Sequence, residues 1–163
     1  MDNNVVSSIV RDDNASESDA LSRLLEAHEQ SKVELVTSEL TLEEIKAAPK
    51  QYRPPLERTF RLLQKVPLAT WDTLVGMNTF RSGGNAIISP MFANDPLYAA
   101  LLSLGLAVAD ARHVFVAAKQ GCHTFLTSDN SPSTGILRRA SYIQAHAGLV
   151  VQRPSDLVRS EGW

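Results

Sequence analysis

Apolar residues in the first half of the chain recur at spacings that predict alternating helices and strands. The leucines of residues 16–30 have helical spacing and predict a first helix after a short extended start. Residues 33–36 alternate and are rich in valine, which predicts a strand. Residues 41–49 predict a helix that Pro49 stops, and residues 54–66 predict another that begins with two prolines. The pattern indicates a strand-to-helix unit followed by a third helix.

The second half has a clearer pattern than residues 70–92, which predict no definite element. Asp95 and Pro96 form an N-cap and first-turn pair for a helix that Gly105 closes. The further predicted elements are a helix over 109–120, a strand over 123–126, a helix over 133–146 and a strand over 148–151. Pro154 marks the start of a tail. Alternating strands and helices of these lengths predict an α/β fold with a mostly parallel sheet covered on both faces, in a single domain over 1–163.

Composition places the chain among ordered globular domains. Hydrophobic residues make up 44% and charged residues 21% of the 163 residues, unlike a disordered chain. The formal net charge is -2, so no global positive field attracts nucleic acid or an acidic membrane. Any contact with nucleic acid must therefore use a local patch.

Cysteine content and the N-terminal sequence bear on location. Cys122 is the one cysteine, which excludes an internal disulfide and cysteine-rich zinc sites and fits a reducing compartment. The N-terminal residues are polar and lack a basic-then-apolar signal pattern, and no apolar run approaches the roughly 18 residues needed to span a bilayer. We therefore expect a cytoplasmic protein with no membrane contact.

Four acids lie where predicted strands end or where the following helices begin. They are Asp2, Glu44, Asp110 and Asp129. In open α/β sheets the reactive crevice lies outside the carboxyl ends of the strands. These acids are therefore the first candidates for a catalytic or metal-binding site.

The residues around these acids form four short motifs. They are Asp2-Asn3-Asn4-Val5, Thr41-Leu42-Glu43-Glu44-Ile45, Ala109-Asp110-Ala111-Arg112-His113 through Ala117-Ala118, and Phe125-Leu126-Thr127-Ser128-Asp129. In order and spacing this set resembles the acidic motifs of the PIN-domain nucleases, and the resemblance spans nearly the whole chain. The first motif is similar to the family's opening Asp-x-Asn-Val, and the last is similar to its Thr-x-Asp ending. No single motif is specific, and the ordered set carries the resemblance.

The resemblance implies a three-layer α/β/α domain that cleaves RNA, as in many toxins of bacterial toxin–antitoxin pairs. It implies that the four acids are the catalytic residues and the ligands of Mg²⁺ or Mn²⁺, with Asp129 as the fourth ligand. Asn4 and Ser128 would orient these metal ligands through hydrogen bonds, without binding the ion themselves. Besides RNA, the partners implied are an antitoxin protein and a second copy of the chain in a homodimer.

A divalent cation would also resolve the repulsion within such a site. Two carboxylates about 4 Å apart repel by roughly 4 kcal/mol at a surface-like dielectric. Three or four of them share a pocket only when protonated or bound to a cation. Hard oxygen ligands select Mg²⁺ or Mn²⁺. We therefore expect these ions as cofactors of the endoribonuclease that the resemblance implies.

Other interpretations of the same acids stay open. Glu44 has the spacing of a capping-box partner for Thr41, and Asp129 suits a turn in which the side chain binds the backbone. The family's first strand runs several apolar residues before its aspartate, whereas only Met1 precedes Asp2 here. One alternative is therefore a catalytically inactive module that binds RNA or protein. Another keeps the fold and makes the acids a phosphohydrolase site for small substrates.

Two further features bear on nucleic-acid binding. His113 lies three residues after Asp110 on one predicted helical face, where it either orients a ligand or a phosphate or packs as a partly buried side chain. Basic residues occur at helical spacing within residues 53–65 and again at Arg138 and Arg139. They suit either phosphate contacts along an RNA backbone or a solvated helix face.

Overall fold

The computed structural model describes residue 5 and residues 15–47, 49–50, 53–54, 56–57, 68–69 and 95–163. Asp2 and Asn4, most of the helix predicted over 54–66, and the stretch 70–92 lie outside these residues. What the sequence predicts for those positions stays a prediction.

The elements with defined bounds in the described residues are six α-helices, four short strands and one 3-10 helix. In chain order they are α1 (Ala15–Glu29), β1 (Thr37–Ser38), α2 (Glu39–Ala47), β2 (Leu68–Ala69), α3 (Pro96–Ser103), α4 (Val108–Lys119), β3 (Thr124–Leu126), the 3-10 helix Leu137–Arg139, α5 (Ala140–Ala147), β4 (Val150–Gln152) and α6 (Pro154–Glu161). The fold is mixed α/β and mostly helical. None of the described helices is both long and apolar enough to cross a membrane.

The strands form two parallel pairs in the described residues. β1 pairs with β2, with Thr37 opposite Leu68. β3 pairs with β4, with Phe125 opposite Val151. Parallel strands need a crossover connection, and the 3-10 helix and α5 provide it between β3 and β4. The strand pairing in the described residues is therefore parallel, as predicted, and the single sheet covered on both faces stays a prediction.

The largest apolar core lies within residues 95–163. Its buried members come from α3, α4, α5, β3, β4 and the connections between them, and are Tyr98, Leu101, Leu106, Ala111, Val114, Phe115, Phe125, Ile136, Ile143, Leu149 and Val151. The predicted N-cap of α3 is confirmed, because Asp95 accepts a hydrogen bond from the Leu97 N–H at 2.9 Å. Lys119 at the end of α4 places its Nζ 2.8 Å from Oδ2 of Asp95. This core fixes α4, which carries Asp110, and β3, which Asp129 follows.

A second apolar cluster joins α1 to α6. Leu24 and Leu157 are buried in it. The prediction that Pro154 begins a tail is wrong, because Pro154 lies in the first turn of α6, where its missing N–H breaks no helical hydrogen bond. The buried carboxylate of Glu17 accepts hydrogen bonds from both the N–H and the hydroxyl of Ser155. The start of α6 is thus capped from α1 rather than by its own sequence.

The strand predicted over residues 33–36 lies later in the chain, at β1. The Leu35 N–H donates a hydrogen bond to Nδ1 of His28, 3.3 Å away, so the backbone of this segment binds the end of α1. Leu35 is buried in the cluster between α1 and α6. The apolar alternation of this segment therefore reflects burial rather than strand pairing.

Candidate functional site

Glu44 and His113 meet where α2 faces α4. Nε2 of His113 lies 3.0 Å from Oε1 of Glu44. The His113 side chain is 3% exposed and the Glu44 side chain is 31% exposed. The contact therefore joins a buried imidazole to a carboxylate that solvent still reaches.

Ser38 contacts the other nitrogen of the same imidazole. This serine is the last residue of β1, and its Oγ lies 3.4 Å from Nδ1 of His113. A neutral imidazole has one N–H donor and one acceptor nitrogen. When the Ser38 hydroxyl donates to Nδ1, the imidazole proton resides on Nε2 and Nε2–H donates to Glu44. We call Ser38, Thr41, Glu44 and His113 together the α2–α4 junction.

Two threonine hydroxyls on β1 and α2 are buried without a hydrogen-bond partner in the described residues. They belong to Thr37 and Thr41, which are 2% and 0% exposed. The capping-box interpretation of Thr41 and Glu44 is wrong, because α2 already begins at Glu39 and Thr41 lies inside it. A buried hydroxyl without a partner costs about 1–3 kcal/mol. The junction therefore contains a buried hydroxyl, that of Thr41, which makes no hydrogen bond within the described residues.

Asp110 lies in the first turn of α4, three residues before His113. Residues three apart are neighbours on a helix surface, with Cβ atoms about 5–6 Å apart. A helix N-terminus also favours negative charge. Glu44 reaches this part of α4 from α2 through its contact with His113. The structure thus places Asp110 about one helical turn from the imidazole that contacts Glu44.

Asp129 follows β3, and its carboxylate organises a turn. Oδ1 accepts hydrogen bonds from the N–H of Ser131 at 3.1 Å and from its hydroxyl at 2.5 Å. Oδ2 accepts one from the N–H of Ile136 at 3.1 Å. The interpretation of Asp129 as a turn residue whose side chain binds the backbone is therefore confirmed. A metal ion bound by Asp129 would have to share the carboxylate oxygens with these hydrogen bonds.

The same turn delays the helix predicted over 133–146. Helical structure begins with the 3-10 helix at Leu137 and continues as α5. A Cβ at Gly135 would lie 2.5 Å from the backbone of Ser131, so only glycine fits this close approach. The predicted start at Ser133 is wrong because the hydrogen bonds of Asp129 hold these residues in a turn.

The electrostatics of the turn favour an ionised Asp129. Burial alone would raise the pKa of its carboxyl group, but hydrogen bonds from Ser131 and Ile136 and the positive charge of Arg139 lower that pKa overall. The neighbouring Ser128 has a buried Oγ without a hydrogen-bond partner in the described chain. Ser128 is thus the one predicted ligand-orienting residue that the structure describes, and its hydroxyl is not used by the fold.

Arg139 has a structural role in the same region. Its guanidinium donates to the carbonyl oxygens of Leu104 at 2.7 Å, Gly135 at 3.2 Å and Ser133 at 2.5 Å. Arg138 is exposed and makes one long contact, 3.5 Å, with the carbonyl of a turn residue. Of this basic pair, Arg138 is the residue that remains suited to a phosphate contact.

A cavity of about 450 Å³ opens beside the junction. Ser38 and His113 line it, together with the segment 33–36 and strand β3. Cys122 also lines it, and burial raises the pKa of the Cys122 thiol, which favours the protonated form. No sequence motif marks Ser38, because its partner His113 lies 75 residues further along the chain. The residue that contacts both Ser38 and Glu44, His113, is therefore part of the wall of this cavity.

The described residues include no group of three or more His, Cys, Asp or Glu side chains that could hold a metal ion. Glu44, Asp110 and Asp129 therefore do not form a three-ligand site by themselves. Their chemistry still suits Mg²⁺ or Mn²⁺, since Mg²⁺ usually binds one or two carboxylates together with water and substrate phosphates. Glu44 and Asp110 supply two such carboxylates. The buried hydroxyls of Thr41 and Ser128 are further hard oxygen donors.

No protein-family model matches the chain, and neither the curated proteins nor the solved structures contain a match. The function is therefore inferred from the motifs and from the geometry of the α2–α4 junction.

Proposed function

We propose that the chain is a metal-dependent endoribonuclease of the PIN type with a three-layer α/β/α fold. Mg²⁺ or Mn²⁺ is held by Asp2, Glu44, Asp110 and Asp129, and the substrate is an RNA phosphodiester bond. An antitoxin partner, a homodimer and a cytoplasmic location belong to the same proposal, since many proteins that the motifs resemble are toxins of toxin–antitoxin pairs.

The observation that carries this proposal is the contact between Glu44 and His113 within one helical turn of Asp110. Glu44 lies on the helix that follows β1, and Asp129 follows β3. Both strands are members of parallel pairs. In α/β folds the crevice outside the carboxyl ends of parallel strands is the usual place for a site. The order of the acids along the chain and the placement of Glu44 and Asp129 after strands therefore support one common site.

Each side chain of the proposed site has its own role in binding the cation. When bound, the cation lowers the pKa of a water molecule and neutralises charge on the scissile phosphate. Glu44 and Asp110 hold the cation, and the proposal assigns the same role to Asp2. Asp129 adds an ionised carboxylate at the edge of the site, since its hydrogen bonds lower its pKa. Ser128 supplies a hydroxyl that orients a ligand from behind.

Cleavage of a labelled single-stranded RNA tests the proposal. The wild-type protein is assayed with Mn²⁺ and with EDTA, beside Asp110→Asn and the control Asp156→Asn. Asp156 is a fair control because it is also an acid in the first turn of a helix, where it pairs with Arg159 on the surface. We expect cleavage that needs Mn²⁺, is lost in Asp110→Asn and survives in Asp156→Asn. Metal-dependent cleavage that Asp110→Asn leaves unchanged would contradict the assignment.

A second candidate function is a module that binds RNA or protein without cleaving it. The observation that favours it is the carboxylate of Asp129, whose two oxygens already accept three hydrogen bonds. Fluorescence anisotropy of labelled RNA in EDTA distinguishes the two candidates. RNA binding that persists in Asp110→Asn, with no cleavage by the wild type in Mn²⁺, would favour the binding module.

A further inference from the structure

We propose that His113 is a positioning residue, which holds the carboxylate of Glu44 in place for a divalent cation while Ser38 fixes the tautomer of its imidazole. This inference rests on the proposed metal-dependent function and adds two residues to it.

The geometry gives His113 one donor directed at Glu44. Nε2 lies 3.0 Å from Oε1 of Glu44, and the imidazole is almost fully buried. A buried polar ring is costly unless its nitrogens are hydrogen-bonded, and both nitrogens of His113 have a partner. The ring is therefore fixed in orientation, and it fixes one oxygen of Glu44.

The carboxylate of Glu44 keeps capacity for a further ligand. An ionised carboxylate has about four acceptor positions on its two oxygens, and His113 uses one of them. Glu44 is also part-exposed, so a hydrated cation can reach it. A flexible glutamate loses side-chain freedom when it binds a ligand, and prior ordering by a neighbour reduces that loss. The contact with His113 therefore prepares Glu44 for binding a cation.

Ser38 supports the tautomer with the proton on Nε2, because the Glu44 carboxylate only accepts a hydrogen bond and a hydroxyl can donate one to Nδ1. Its Oγ lies 3.4 Å from Nδ1, and a hydroxyl that donates there keeps Nδ1 as the acceptor. The proton then stays on Nε2, which is the nitrogen that Glu44 needs as a donor. The hydroxyl of a residue at the end of β1 thus acts on the acid of α2 through an imidazole of α4.

Isothermal calorimetry with Mn²⁺ tests the positioning role on four variants and the wild type. His113→Leu keeps an apolar side chain in the buried site and removes the donor, and His113→Gln keeps an N–H donor near the position of Nε2. Ser38→Ala removes only the hydroxyl. His146→Leu is the control, because His146 is an exposed histidine on α5. Thermal unfolding of each variant checks that it is folded.

We expect His113→Leu to weaken Mn²⁺ binding by about 10- to 100-fold, the usual cost of losing a residue that orients a metal ligand. His113→Gln should restore most of the affinity, Ser38→Ala should lie between Gln and Leu, and His146→Leu should bind as the wild type does. Equal Mn²⁺ affinity in the wild type and His113→Leu would overturn the positioning role and leave the nuclease proposal standing. No Mn²⁺ binding by the wild type would overturn both.

Imidazole ¹⁵N spectra of the metal-free wild type give a second readout that depends on no substitution at His113. At alkaline pH we expect the His113 proton on Nε2, and Ser38→Ala should move part of the population to Nδ1. A purely structural histidine would give Ser38→Ala no effect on Mn²⁺ affinity. A proton found on Nδ1 in the wild type would contradict the proposal.

Discussion

Asp129 and Glu44 are both part-buried carboxylates that follow a strand, and the structure surrounds them differently. Asp129 accepts three hydrogen bonds from two residues of its own turn. Glu44 accepts one from His113, 69 residues away. Buried polar groups in folded proteins are nearly always hydrogen-bonded, and the carboxylate of Asp129 follows that rule although the neighbouring Ser128 hydroxyl does not. Within the described residues, the α2–α4 junction departs from it at the hydroxyl of Thr41.

The hydrogen bonds of the fold occupy the carboxylate of Asp129, whereas the carboxylate of Glu44 keeps acceptor positions that a ligand can use. A fully satisfied polar network makes the structure more rigid and specifies one conformation. A partly satisfied network lowers the stability of the fold. The presence of its unpaired polar groups is therefore not explained by stability alone. Asp129 therefore contributes to stability as well as to the proposed site, whereas the carboxylate of Glu44 accepts one hydrogen bond, from His113. Substitutions at the two places should consequently change different observables.

The largest expected effect on stability is that of Asp129→Ala. The substitution leaves the N–H groups of Ser131 and Ile136 without their charged acceptor, and hydrogen bonds to charged groups contribute about 1.5–3 kcal/mol each. Because the turn is partly exposed and water replaces some of these bonds, we expect the free energy of unfolding to fall by about 3 kcal/mol in urea denaturation. The control Asp156→Ala, which removes a surface ion pair, should cost less than about 1 kcal/mol. Equal losses in both variants would remove the contrast between Asp129 and an ordinary surface acid.

Acidification should weaken the same turn. The folded state lowers the pKa of Asp129, whereas the unfolded carboxyl titrates near about 3.9. The unfolded state therefore binds the proton first, so this stabilisation is complete above about pH 5 and is lost as the pH falls through the lowered folded value. The stability difference between wild type and Asp129→Asn should shrink over this range in denaturation at several pH values. A difference that stays constant down to about pH 2 would contradict the linkage.

The smallest effects come from two matched threonines. Thr127 and Thr41 are both 0% exposed, but Oγ1 of Thr127 accepts the N–H of Asp129 at 3.0 Å, whereas Oγ1 of Thr41 has no partner in the described residues. Thr127→Val should lower the free energy of unfolding by about 1–2 kcal/mol. Thr41→Val should leave it unchanged or raise it by up to about 1 kcal/mol, since it removes an unsatisfied hydroxyl. Thermal denaturation measures both, and a larger loss in Thr41→Val than in Thr127→Val would reverse the comparison.

Those parts of the fold that depend on local sequence were predictable. Asp95 and Pro96 mark the start of α3 because a side-chain cap and a fixed φ act within a few residues. The helix around Asp110 follows from its apolar spacing and from Gly121, which has a φ of +72° after its end. Such signals are read from the segment itself.

Those parts that depend on distant partners were not predictable in the same way. The start of α6 is capped by Glu17, 138 residues away, so Pro154 looked like the beginning of a tail. A strand is found at β1 rather than over the predicted residues 33–36, because the residues of β1 are those that pair with β2. In the site, the face shared by Asp110 and His113 followed from helical spacing, whereas the role of Ser38 depended on a contact across 75 residues.

Mn²⁺ titration calorimetry of the wild type, Glu44→Gln and Glu43→Gln tests the central claim most directly. Glu43 is the matched control, since it is an exposed glutamate adjacent to Glu44 on α2. We predict that the wild type and Glu43→Gln bind Mn²⁺ with similar affinity and that Glu44→Gln loses binding while staying folded. Binding of equal strength in Glu44→Gln, or no binding by the wild type, would contradict the claim that Glu44 is available for a cation.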